Sequence, residues 1–202
     1  MHLNTSEQTI SIDALHEGDK DAFARLVNTY SPALYRLILR MLGDPQEAED
    51  VLQETFIQAF RHIEQFEGRS KISTWLYRIA TNQALMRLRK REPDFVSVDE
   101  PIELSNGEQL PRQLRDWCCL PESEFLSSEV QDRLDEAIHT LSPALRAAFI
   151  LRDLQDLSTR EAAEILDISE SAVKTRLLRA RLELRAKLSD YFEERLEAIG
   201  DE

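Results

Sequence analysis

The chain has 202 residues, 42% of them hydrophobic, with only 5 Gly and 7 Pro, a composition that disfavours disorder and β-rich folds and favours helices. No run of about 18 apolar residues exists and no basic-then-apolar segment opens the chain, so neither a membrane span nor export is expected, and the protein is predicted to be cytoplasmic. The net charge of −13 runs against nucleic-acid binding unless the charge is unevenly spread.

In chain order, residues 1–17 read as a tail, and Asp19 is a cap for a helix that begins at Lys20. Ser31-Pro32 and Asp44-Pro45 each place a capping side chain before a proline, the arrangement of a helix start. Glu47, three residues after Asp44, adds a capping-box-like pattern. Val51, Leu52, Thr55, Phe56, Ala59 and Phe60 then recur as a buried helical stripe. A short loop, Phe66-Glu67-Gly68-Arg69-Ser70, precedes a further helix from about Ser73 to Arg91.

Residues 92–127 carry Pro93, Pro101, Pro111, Pro121, Asn106-Gly107 and many acids, without periodicity. Such a stretch is too long for a loop inside one domain and predicts a flexible acidic linker between two domains, 18–91 and 128–188. Within it, Trp117 is either an anchor on a domain or partner surface or a packed residue. The adjacent Cys118 and Cys119 cannot staple the fold and read as free thiols, with soft-metal or redox sensing as the alternative.

Beyond the linker, helices are predicted over 128–141 and from Ser142-Pro143 to about Leu154. Ser158-Thr159-Arg160-Glu161 is a capping box, and the tight turn Leu166-Asp167-Ile168 leads to Ser169, a cap for the last long helix. Two helices joined by so short a turn make a helix-turn-helix pattern. An acidic tail follows over 189–202. The predicted fold class is all-α, with two small helical domains.

Residues 61–91 carry 8 basic and 2 acidic side chains, and residues 174–187 carry 6 and 1, whereas residues 92–136 carry 3 and 13. Two compact basic islands against an acidic background are the footprint of phosphate binding. At about 100° per residue, Val173, Leu177, Ala180 and Leu184 form the core stripe of the last helix. Ser171, Thr175, Leu178 and Arg179 lie opposite, flanked by Lys174, Arg181 and Arg185 on one side and Arg176 and Lys187 on the other. A polar ridge between basic flanks suits a helix in a major groove. A solvated face laced with salt bridges is the alternative, but only Glu183 supplies a local acid.

On the helix 73–91, Leu76, Ile79, Ala80 and Met86 cover one side, and Tyr77, Ala84, Leu85 and Leu88 another. A narrow face of Trp75, Arg78, Asn82 and Arg89 remains, all within about 60°. Aromatic, amide and basic groups together suit an unpaired base and its backbone, and the preceding loop adds Arg69, Ser70 and Lys71. A lone Trp on a helix is also a common core residue.

The segments DPQEAEDVLQETFIQAF, FEGRSKISTWLYRIATNQALMRLRKR and LDEAIHTLSPALRAAFILRDLQDLSTREAAEILDISESAVKTRLLRARLELR resemble the two domains of extracytoplasmic-function sigma factors, group 4 of the sigma-70 family of RNA polymerase sigma factors. The resemblance covers residues 18–91 and 128–188, with both domains in the family's order. It implies a promoter-recognition subunit that has no cofactor, no metal and no catalytic residues. Its implied partners are core RNA polymerase, through the clamp helices and flap, promoter DNA and an anti-sigma factor. Asp50, Gln53, Glu54, Phe56 and Phe60 would dock on core polymerase. Gly68, Arg69, Ser70, Lys71, Trp75, Arg78 and Asn82, with Arg89, would capture the −10 element. Ser171, Lys174, Thr175, Arg176, Leu178, Arg179 and Arg181 would read the −35 element.

Rival readings leave more unexplained. A stand-alone regulator using only the helix-turn-helix ignores the 61–91 island, and a protein-binding adaptor ignores both islands. A metal-dependent enzyme built on Glu47, Glu49, Asp50 and Glu54 lacks a histidine at ligand spacing, because His2, His16, His62 and His139 are scattered.

Overall fold

The computed structural model describes residues 10–91 and 128–200, with the side chains of 133–189 in the second stretch. The predicted linker, with Trp117, Cys118 and Cys119, lies outside the described residues, as does His2. Among the described residues every regular element is helical, in agreement with the all-α expectation.

The first stretch holds α1 (Ile12–His16), α2 (Lys20–Leu42), α3 (Pro45–His62), a 3-10 turn (Ile63–Gln65) and α4 (Ile72–Arg91). Sequence reading placed α1 in a tail; instead Ser11 caps it and Leu15 is buried. Asp19 caps α2 as expected, accepting the Asp21 N–H at 2.8 Å. The helix start expected at Ser31-Pro32 does not occur, because α2 runs straight through Pro32. A proline inside a helix costs roughly 3 kcal/mol. Here Pro32 faces solvent, while Leu26, Tyr30, Ala33, Leu34, Leu37, Ile38 and Met41 are buried on both sides of it. Each large member of that stripe contributes on the order of 1.5–3 kcal/mol, which outweighs the break. Ser31 turns back on its own helix and donates to the Val27 carbonyl at 2.6 Å.

Gly43 ends α2 at φ +76°, a conformation glycine adopts without a steric penalty. Asp44 then caps α3 by accepting the Glu47 N–H at 2.9 Å, with Pro45 at the first position. The carboxylate of Glu47 pairs with Arg91 at the end of α4. That contact ties the two ends of the helical hairpin and removes one carboxylate from the acidic cluster on α3.

The second stretch holds α5 (Ser128–Thr140), α6 (Pro143–Phe149), a π turn (Ile150–Leu154), α7 (Thr159–Leu166) and α8 (Glu170–Gly200). The capping box of α7 is complete: the Ser158 hydroxyl accepts the Glu161 N–H at 3.1 Å, and the Glu161 carboxylate accepts the Ser158 N–H at 2.9 Å. Asp167 closes α7 in the left-handed conformation, φ 57°, and Ser169 opens α8 by accepting the Ala172 N–H at 3.1 Å. The helix α8 continues to Gly200, through the segment sequence reading treated as a tail.

The two stretches pack on each other. The helix α4 lies against α2 and α3 and also against α7, and the C-terminal end of α2 meets α5, α6 and the π turn. One contiguous cluster of buried side chains runs through both. Arg146, on α6, is only 7% exposed. It donates to the Met41 carbonyl at 2.6 Å, to the Leu141 carbonyl at 3.1 Å and to the His139 carbonyl. These acceptors sit at the C-terminal ends of α2 and α5, where unpaired carbonyls and the helix dipole favour a cation. A long acidic linker gives no hint of this embrace.

Candidate nucleic-acid interface

The loop before α4 is anchored by Phe66, which is buried and whose ring lies 5.3 Å from that of Trp75. Gly68 turns the chain at φ +70°. Arg69 is exposed and paired with Glu67 at 2.5 Å. Trp75 is half-buried on Phe66, so one ring face is committed to packing while part of the side chain stays accessible.

On α4 the buried positions are Thr74, Leu76, Tyr77, Ala80, Thr81, Ala84 and Leu88. Trp75, Arg78, Asn82 and Arg89 fall outside that arc, and the last three are exposed, so the structure brings the predicted face together. Met86, expected to help cover one side, is 51% exposed. At about 100° per residue it falls close to Trp75 on the helix wheel, where the core does not reach.

Two further cations of this region are also partnered. Lys71 reaches Glu161 at 3.3 Å, and Arg78 lies 3.6 Å from Asp167. Hydrogen bonds from the Ser158 backbone and hydroxyl, with help from Lys71, hold the Glu161 carboxyl below the usual carboxylate range. Tyr77 donates to the Gln155 side-chain oxygen at 3.1 Å, and burial pushes its phenol up.

The last helix behaves as its periodicity predicts. Val173, Leu177, Ala180 and Leu184 are buried. Ser171, Lys174, Thr175 and Leu178 are exposed on the outer side, with Arg176 and Arg179 half-exposed beside them. Arg181, expected to contact DNA, also has a partner within the fold. Its guanidinium forks onto Asp153 of the π turn, at 2.9 and 2.7 Å, and this bond raises its pKa further. The acid that claims it lies 28 residues away, beyond any helical-wheel analysis. Arg181 therefore ties α8 to the π turn.

On α3, Asp50, Gln53 and Phe60 are exposed and Glu54 is half-exposed, forming one outer strip. Phe56 does not belong to it: with Val51, Thr55 and Ala59 it is buried in the core, so it is unavailable to a partner. Ile57, 44% exposed, takes its place in the strip, and its spacing from Asp50, Gln53 and Glu54 was a signal that sequence reading passed over. Phe60 is 53% exposed and packs edge-on against Phe23 at 5.1 Å. Among the described residues no three His, Cys, Asp or Glu side chains gather as a metal site, and no helix is long and apolar enough to cross a membrane.

Comparison with known proteins agrees with this architecture. The family models Sigma-70 region 2 and Sigma-70, region 4 match residues 26–93 and 131–184. The chain is 40% identical over 179 residues to the ECF RNA polymerase sigma factor SigW of Bacillus subtilis, covering 89% of this chain and 95% of that protein. It is 37% identical to the ECF RNA polymerase sigma-E factor of Haemophilus influenzae, covering 88% of this chain and 93% of that one. The fold resembles CnrH, solved in complex with the cytosolic domain of CnrY, with TM-score 0.63, 22% identity, and coverage of 92% and 99%. On the strength of both region models and these full-length relatives, the chain belongs to the extracytoplasmic-function group of the sigma-70 family.

Proposed function

We propose that this chain is a promoter-specificity subunit of bacterial RNA polymerase, acting in the cytoplasm and contributing no catalytic group of its own. The observation that carries the proposal is the joint occurrence, in one sigma-family chain, of the α4 face and the exposed ridge of α8.

Residues 18–91 and 128–188 act as its two working units. The outer strip of α3, acidic and apolar through Asp50, Gln53, Glu54, Ile57 and Phe60, has the character of a protein-docking surface and faces core polymerase. The Gly68–Lys71 loop with Trp75, Arg78, Asn82 and Arg89 captures the −10 strand as it opens. Ser171, Lys174, Thr175, Arg176, Leu178 and Arg179 meet the −35 duplex, with Arg181 holding the helix in place. Each DNA site alone is weak, and polymerase makes the second contact intramolecular once the first has formed. The family resemblance also assigns the chain an anti-sigma partner.

Run-off transcription with core polymerase on a fragmented genomic library tests the proposal. Defined RNA starts that require this chain are expected. Duplex binding without polymerase and without starts would point to a stand-alone regulator. Phe60→Ala is expected to weaken core binding by about 2 kcal/mol, as loss of an aromatic anchor does.

A further inference from the structure

The loop before α4 is held at its entrance by a residue that lies ahead of the region 2 match, which begins at residue 26. Phe66 leads into that loop. It donates its N–H to the Ile63 carbonyl at 3.0 Å and buries its ring against Trp75. Its carbonyl meets Nε2 of His16 at 3.1 Å, across 50 positions of sequence. A carbonyl can only accept, so Nε2 carries the hydrogen and donates. His16 thus completes the hydrogen bonding of Phe66 two residues before Gly68 turns the chain at φ +70°.

The short helix α1 is built to deliver this contact. Ser11 caps it by accepting the Ala14 N–H at 3.3 Å, Leu15 is buried in the core, and Gly18 at φ +76° returns the chain to α2. The helix packs against both α2 and the 3-10 turn Ile63–Gln65. With Leu15 fixed in the core, the next side chain projects about 100° further round the helix. His16 is itself exposed, so it adds little to the core, and what it holds is the loop.

We propose that His16 is a positioning residue for the −10 loop: by fixing the Phe66 carbonyl it sets the path of residues 67–71 and the seat of Trp75. This inference rests on the reading of that loop and α4 as the −10 site. To tell one unpaired base from another, the loop must hold it in a single pose. A loop already fixed gives up less freedom when it does so. Loss of His16 leaves the Phe66 carbonyl to water and lets the loop leave Phe66 at several angles. The right base then loses contacts that a wrong base never made, so discrimination falls more than binding as a whole.

Two measurements on the full chain test it, with variants at an exposed position that are expected to fold. Trp117→Phe leaves Trp75 as the single tryptophan. In that background His16→Leu, which keeps bulk and removes the donor, should make Trp75 fluorescence easier to quench with acrylamide. His16→Gln, whose amide donates in place of Nε2, should restore the parent value. Identical quenching in the parent and the His16→Leu variant would overturn the link from His16 to Trp75.

The second measurement is run-off by the holoenzyme on a promoter mapped as above, and on copies with single substitutions in each element. His16→Leu is expected to lower discrimination at the −10 position held by the loop about fivefold, the factor that one net hydrogen bond supplies. Discrimination at −35 should be unchanged, and His16→Gln should stay close to the parent. A loss by the same factor on every promoter, or equal behaviour of the His16→Leu and His16→Gln variants, would overturn the positioning role. Absence of run-off by the parent chain would refute the −10 reading, and this role with it, while quenching still reports whether His16 holds Phe66 and Trp75.

Discussion

The helices α4 and α8 each carry a basic island and a polar outer face, yet the chain treats them differently. At α4, Lys71 just before the helix and Arg78 within it are matched by Glu161 of α7 and by Asp167, which closes α7, and Trp75 leans on Phe66. On α8, the ridge of Ser171, Lys174, Thr175 and Leu178 stays exposed, and the ion pair of Arg181 with Asp153 seats the helix. A cluster of positive charge therefore marks where phosphates can bind but not whether the site is open. Availability is set by what the rest of the fold lays across it.

The sharpest way to break this contrast is at Arg146. Arg146→Ala leaves the carbonyls of Met41, His139 and Leu141 without their buried donor, and is expected to lower stability by about 3 kcal/mol. Urea unfolding reads this directly; an unchanged midpoint would show that the link between the regions contributes nothing. Next in size, Arg179→Ala should reduce discrimination among −35 sequences by ~1–3 kcal/mol if the guanidinium meets a base edge. Equal weakening on every duplex would identify a phosphate contact instead.

A smaller effect separates positioning from contact on α8. Asp153→Ala and Arg181→Ala should each cost about 1 kcal/mol of stability or less, because the pair is partly exposed. The double variant should cost no more than either one. Were Arg181→Ala to weaken −35 binding far more than Asp153→Ala, Arg181 would be touching DNA after all.

The smallest expected effect is a pH dependence at the contact between the stretches. Burial, with the nearby Arg146, pushes His139 below its ordinary value of 6.5, and Asp135 opposes this only in part. The folded chain thus binds this proton less readily than the unfolded chain. The contribution of neutral His139 is complete above about pH 6.5 and is lost as the pH falls from there toward the depressed folded value. His139→Gln should flatten that part of a stability profile measured against pH.

Much of the local structure was legible because it is written in short-range chemistry. Asp19, Asp44, Ser158 and Ser169 cap the helices predicted for them, and Asp167 takes the left-handed turn. Ser31-Pro32 misled, because a proline signals a break only when the surrounding burial does not outweigh it. Phe56 and Phe60 were expected both in the buried stripe of α3 and on its docking face; Phe56 is buried and Phe60 is exposed, because two aromatic residues look equally apolar until the position of the core is known. The ion pair of Arg181 was hidden for a related reason, since its partner sits on another element.

Sequence by itself determined the helical class, the two basic helices, their polar outer faces and the family, since periodicity, caps and charge act over a few residues. Only the tertiary structure decided which cations remain available, that Arg146 joins α6 to the end of α2, and that α7 lies over α4. Those outcomes depend on contacts between residues 28 to 105 positions apart. Such pairings are settled by the packing of whole helices, and no local pattern records them.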